Sequence, residues 1–196
     1  MEELETKRLI LRKFEYKDIE DLYEYAKDEE VNKYVRFDTY KSIEDAQDRI
    51  DDLLAKYAQE EKYCWAIEEK ESQKLIGSID LFDVADGEKE VGYLLNRNYW
   101  NKGYATEAAK EVIKYGFEKL NLNKILGHCV TLNIGSSRVM EKIGMKCQGI
   151  TEKEKEVEYT VCSHSRKHGC CKASCRAVRH FADNRKAAIH TRPFHC

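Results

Sequence analysis

The spacing of apolar residues divides the chain into segments of two periods. Arg8-Leu9-Ile10-Leu11-Arg12 reads as a first strand. From about Asp18, Ile19, Leu22, Tyr23 and Ala26 share one helical face. A second helix carries Ile43, Ala46, Ile50, Leu53, Leu54 and Tyr57, behind a capping box predicted from Ser42 and Asp45. Three β-rich pieces follow, Tyr63 to Glu68, Lys74 to Phe82 and Glu90 to Leu95, with Asp86-Gly87 in the last turn, and they predict an antiparallel meander. Ala105, Ala108, Ala109, Val112, Ile113, Phe117 and Leu120 then recur at three- and four-residue intervals, predicting a long helix. Lys124 to Val130 is a further strand. A short helix bearing Val139, Met140 and Ile143 is expected after it, capped by Ser136 or Ser137 and ended by Gly144. The strand, helix and strand from Glu90 to Val130 should leave the two strands parallel. The expected fold class is mixed α/β (α+β).

One junction in this pattern carries chemistry. The strand Gly92-Tyr93-Leu94-Leu95 runs through Asn96-Arg97-Asn98-Tyr99-Trp100-Asn101-Lys102-Gly103 into the long helix at Tyr104-Ala105-Thr106. A helix start leaves main-chain N–H groups without intrahelical partners and carries the positive end of the helix dipole, so an anion is favoured there. Gly103 permits close approach and Lys102 adds a cation. An ATP-binding P-loop does not fit, because Gly103 follows the lysine, and the glycine triplet of a Rossmann site is missing.

Composition adds a boundary. The chain has 196 residues, enough for one domain with a sizeable core, and a formal net charge of −2. Residues 1–159 hold 26 Lys/Arg against 35 Asp/Glu, whereas residues 160–196 hold eight against Asp183 alone. Five of eight cysteines and five of six histidines also fall after residue 160. The expected organisation is one folded domain over 1–159 and a basic, Cys/His-rich tail over 160–196. The amino terminus lacks the apolar run of a secretory signal and no segment approaches membrane-spanning length, so a cytoplasmic protein without a membrane partner is expected.

Four segments in order resemble the GNAT superfamily of acyl-CoA-dependent N-acyltransferases, in particular the RimJ/RimL-like branch of ribosomal-protein N-terminal acetyltransferases. They are Thr6 to Arg12, Val91 to Leu95, Tyr99 to Ala108, and Asn133-Ile134-Gly135-Ser136 followed by Glu141-Lys142-Ile143-Gly144-Met145. The resemblance covers about residues 6 to 149. It implies a central, mostly antiparallel sheet with one parallel, splayed strand pair and flanking helices. It also implies acetyl-CoA as cosubstrate, with no metal required, and a primary amine, a protein N-terminus or a small molecule, as acceptor. Homodimers are common among such enzymes. The splayed strands would bond the pantetheine amides through Tyr93, Leu94 and Leu95, the pyrophosphate would sit on Trp100, Asn101, Lys102, Gly103, Tyr104, Ala105 and Thr106, and Asn133 and Ser136 would flank the pantetheine arm.

In this chemistry the acceptor amine attacks the thioester directly, so a base, an oxyanion stabiliser and an acid are needed. Glu90, two residues before Gly92 on the same strand face, is the candidate base, acting through one water; its competing reading is a solvated strand end. Where the superfamily often has a tyrosine acid this chain has Met140, so Ser136 or Tyr104 is the candidate acid. Their competing readings are a helix cap and a packed aromatic. His128 is read as structural, since its spacing pairs it with no nucleophile or metal. Met140 also motivates an alternative, a degenerate acyl-CoA-binding or protein-interaction domain.

The resemblance calls for two closing strands after Gly149, and Ile150 to Val161 offers strand material through Val157, Tyr159 and Val161. Beyond it, Cys162, His164, His168, Cys170, Cys171 and Cys175 suggest zinc, but no C-x-x-C pair is present. Phe181 and Phe194 are the only aromatics of residues 162–196 and no folded nucleic-acid motif occurs, which argues against a nucleic-acid partner. An unstructured extension, an appended module and a departure from an ancestral reading frame all stay open for the tail.

Overall fold

Alternation along one central strand decides the layering. In β3 (Tyr63–Glu69), Cys64 and Ala66 belong to one core cluster and Trp65 and Ile67 to another, all fully buried. A strand buried on both sides needs cover on both faces of its sheet. The computed structural model, which describes residues 1–35, 38–59, 63–151 and 156–162, supplies that cover with helices on each side.

The remaining strands are β1 (Leu4–Glu5), β2 (Leu9–Arg12), β4 (Lys74–Ala85), β5 (Glu88–Leu95), β6 (Lys124–Val130), β7 (Lys146–Thr151) and β8 (Glu156–Cys162). They join β3 in one eight-stranded sheet of order β1-β2-β3-β4-β5-β6-β8-β7, antiparallel throughout except between β5 and β6. One face packs on α4 (Tyr104–Glu118), through Ala108, Ala109, Val112 and Ile113 against Leu11, Ile67, Leu81 and Ile125. The other packs on α1 (Ile19–Ala26) and α3 (Ile43–Ala58), through Leu22, Tyr25, Ile50 and Leu53 against Cys64, Ala66 and Leu75.

A buried ion triad fixes α1 to the sheet. Arg12 reaches both Asp18 oxygens at 2.7 Å and Glu68 Oε2 at 2.6 Å, and all three residues are at most 9% exposed. Burial opposes the Arg12 charge, but Asp18 and Glu68 outweigh it and raise its pKa.

The register of β5 and β6 shapes everything functional. Glu88 faces Lys124, Lys89 faces Ile125 and Glu90 faces Leu126; among the described residues their pairing goes no further. Both strands continue, β5 to Leu95 against β4 and β6 to Val130 against β8, so a wedge opens between them. Gly77 on β4 lets β5 lie close there, since a Cβ on it would stand 2.2 Å from the Leu94 carbonyl oxygen.

The predicted meander, long helix, parallel pair and Ser42–Asp45 capping box are all present. One cap needs correction. The short helix, α5 (Ile134–Lys142), is capped by Asn133, whose Oδ1 accepts the Ser136 N–H at 3.0 Å, rather than by Ser136 or Ser137. Asparagine caps at least as well as serine, so the helix begins before the serines. The four-residue α2 (Glu29–Asn32) and two-residue β1 are too short to show a period. Strand β8 runs across the composition change at Tyr159. The tail residues His164, His168, Cys170, Cys171, Cys175, Phe181 and Phe194 lie outside the described residues. Among the described residues no helix is long and apolar enough to cross a membrane.

Candidate active site

The loop after β5 is held in shape by its own polar groups. Asn96 Oδ1 accepts the Asn98 N–H at 3.0 Å, starting a single 3-10 turn, and Trp100 Nε1 donates back to the Leu95 carbonyl at 2.7 Å. Asn101 and Gly103 take left-handed conformations, with φ of 61° and 84°, and turn the chain into α4. Asparagine and glycine tolerate that region best. Within α4 the first bond to Gly103 O comes from Glu107 N at 3.0 Å. The N–H groups of Tyr104, Ala105 and Thr106 therefore precede the helical ladder, and an anion at this start meets unpaired donors and the helix dipole.

This loop walls a cleft of about 490 Å³. Tyr93, Leu94 and Leu95 of β5, Trp100, Asn101, Gly103, Ala105 and Thr106 of the loop and helix, and Asn133 and Ser136 across the wedge all line it. Two residues expected in the site are elsewhere. Lys102 is absent from the lining, and its Nζ lies over the Tyr99 ring at 5.2 Å. Tyr104 is 8% exposed and lines neither this cleft nor its neighbour; its hydroxyl donates to Glu69. That bond raises the phenol pKa, so the side chain of this candidate acid is both turned away and a weaker proton donor.

A second cavity, of about 780 Å³, lies on the α1/α3 side of the wedge and shares Tyr93, Leu94, Asn133 and Ser136 with the first. Aromatic side chains, among them Phe14, Tyr25, Tyr40 and Phe82, share its walls with aliphatic ones, and Arg49, Asp80, Glu90 and His128 bring charge or titratable nitrogen. Burial opposes the charge of Arg49, but Cys64, Asp80, Tyr40 and Asp52 outweigh it and its pKa is raised. His128 Nδ1 stands 3.1 Å from Glu90 Oε1. The parallel pairing of β5 with β6 makes this contact between residues far apart in sequence, and it is compatible with the structural role read for His128. At the junction of the cavities, Tyr93 Oη is 2.8 Å from Ser136 Oγ and donates to the Ser136 carbonyl at 3.1 Å. Met140 is 1% exposed and packs over Gly127, where an added Cβ would come within 3.2 Å of its sulfur. Among the described residues no three His, Cys, Asp or Glu side chains gather as a metal site would require.

Known proteins resemble this chain in sequence and fold. A family model for the acetyltransferase (GNAT) domain matches residues 8–146. The uncharacterized N-acetyltransferase YnaD of Bacillus subtilis (strain 168) is 39% identical over 149 residues, 76% of this chain and 85% of that protein. The crystal structure of a GNAT-family acetyltransferase from Bacillus anthracis superposes with a TM-score of 0.73 at 32% identity, over 83% of this chain and 99% of that one. The microcin C7 self-immunity acetyltransferase MccE, solved in complex with acetyl-CoA and AMP, shares the fold with a TM-score of 0.69 at 19% identity, over 80% and 93% of the two chains. The matched span runs from the residue before β2, the strand that carries Arg12 of the ion triad, to the first residue of β7, and so takes in the wedge, the glycine turn and both cavities. On that match, this chain belongs to the GNAT family of N-acetyltransferases.

Proposed function

We propose that this protein transfers an acetyl group from acetyl-CoA to a primary amine by direct attack, with the two cavities serving donor and acceptor. The carrying observation is the wedge that opens beyond Glu90 and Leu126, because it joins a cleft rich in main-chain donors to a cavity holding a carboxylate. The residues present fit the donor: the helix start after Gly103 suits a pyrophosphate, and the β5 edge from Tyr93 to Leu95 suits an extended amide arm. When bound, acetyl-CoA supplies an acetyl thioester activated toward amines.

Glu90 takes the proton of the acceptor amine, directly or through one water, with His128 beside it to hold the carboxylate. Met140 carries no acidic proton, so Ser136 Oγ gives a proton to the leaving thiolate, Tyr93 Oη turns its own proton from the Ser136 carbonyl to Oγ across their 2.8 Å contact, and solvent, which takes up the proton Glu90 removed from the amine, reprotonates the phenolate. The motifs at Thr6 to Arg12 and Asn133 to Ser136 favour the branch of ribosomal-protein N-terminal acetyltransferases, and a protein N-terminus heads the acceptor classes to be tried. Net acidity of residues 1–159 favours a cationic acceptor by long-range attraction.

Release of free thiol from acetyl-CoA, measured against N-terminal peptides, polyamines and small amines, tests the proposal. Release that requires both protein and amine is expected. Tight acetyl-CoA binding with no release on any acceptor would favour the degenerate binding domain that Met140 suggests.

A further inference from the structure

Arg8 lines neither cavity, yet it touches the loop that forms the first. Its Nη1 donates to the Lys102 carbonyl at 3.0 Å, and its Nη2 lies 3.6 Å from where a side chain on Gly103 would begin. Two further contacts fix the guanidinium. Glu107, in the first turn of α4, accepts from Nε at 2.7 Å and pairs with Nη2 at 2.7 Å; the same carboxylate accepts the Arg8 main-chain N–H at 2.9 Å and the Thr6 hydroxyl at 2.7 Å. The Tyr104 ring lies 4.1 Å from the guanidinium carbon, and its hydroxyl is held by Glu69. One side chain thus links the carbonyl before Gly103 to the first and fourth residues of α4.

We propose that Arg8 is a positioning residue for the anion-binding loop, holding the left-handed turn at Gly103 so that the N–H groups of Ala105 and Thr106, which line the donor cleft, stay in place. The inference rests on the reading of that cleft as the acetyl-CoA site. Shape, not charge, is what Arg8 supplies. Glu107 at 2.7 Å neutralises much of its field, whereas a planar fork can bond a carboxylate and a carbonyl together while stacking on a ring. A lysine offers the same charge without the fork, so the two explanations separate cleanly.

The test is calorimetric titration of acetyl-CoA into the full chain and its Arg8→Met and Arg8→Lys variants, with thermal melts as a folding control. Both variants are expected to bind about 10-fold more weakly, the loss typical of a charge-assisted hydrogen bond. KM for acetyl-CoA should rise in parallel, with kcat at saturation changed by less than about twofold, as for a loss of uniform binding. Wild-type affinity in Arg8→Lys would assign the effect to charge and overturn the inference, as would equal affinity in all three proteins. If Arg8→Met does not fold, Glu107→Gln loosens Arg8 without altering a cleft residue; weaker binding supports the inference and unchanged binding overturns it. Failure of the wild type to bind removes the reading of the cleft and this inference with it, and the wild-type titration alone reveals it.

Discussion

The two cavities that meet at Tyr93 and Ser136 are built from different materials. The proposed donor cleft takes a strand edge, a glycine turn and a helix start from the stretch Tyr93 to Thr106, and is closed by side chains of residues 30–35 and 132–142. The proposed acceptor cavity draws on the loop after β2, α1, α3, β4, β5 and β6, and mixes aromatic and aliphatic side chains with both signs of charge. Backbone donors serve any protein that keeps the turn, so one cosubstrate can be recognised while sequence drifts. Side-chain walls change with each substitution, which lets the acceptor vary on a constant scaffold.

Several substitutions should pull these regions apart. The largest effect is expected from Glu90→Gln, which removes the proposed base and leaves the loop intact. Turnover should fall by about 10²–10⁴-fold in kcat while acetyl-CoA affinity, read by calorimetry, stays at the wild-type value. Arg12→Ala strands Asp18 and Glu68 as buried charges beneath the acceptor wall, and denaturant unfolding should report a loss of about 3–5 kcal/mol.

Glu107→Gln strikes the donor side. Burial raises the Glu107 pKa, but the bonds from Thr6 and Arg8 outweigh it and the carboxyl is lowered below its ordinary value of 4.5. A lowered folded-state pKa contributes stability above the unfolded value and loses it as pH falls through the folded one. Glu107→Gln should therefore cost about 2 kcal/mol at neutral pH, with the gap to wild type closing in melts recorded from about pH 5 downward. Asn133→Ala removes the α5 cap for about 1 kcal/mol of stability, a smaller effect that equilibrium unfolding can resolve.

The same contrast explains what could be read from the chain alone. The donor cleft was legible because a strand, a Lys-Gly turn and a helix start follow one another within Tyr93 to Thr106. Local order did not reveal which side chains face inward. Tyr104 turns away because Arg8 stacks on its ring and Glu69 takes its hydroxyl, and these partners come from the bend before β2 and the end of β3. The contact between His128 and Glu90 needs the parallel register of β5 and β6, which no local spacing encodes. The acceptor wall was illegible for the same reason: Phe14, Arg49 and Asp80 become neighbours only after the sheet forms. Asn133 and Ser136 sit three apart and both are good caps, so sequence could not rank them.

Hydrogen–deuterium exchange with and without acetyl-CoA tests the division of labour most directly. The account predicts slowed exchange across Tyr93 to Thr106 and Asn133 to Val139, with α1 and α3 at their ligand-free rates. Slowing confined to α1 and α3, with the loop and the start of α4 unchanged, would contradict it.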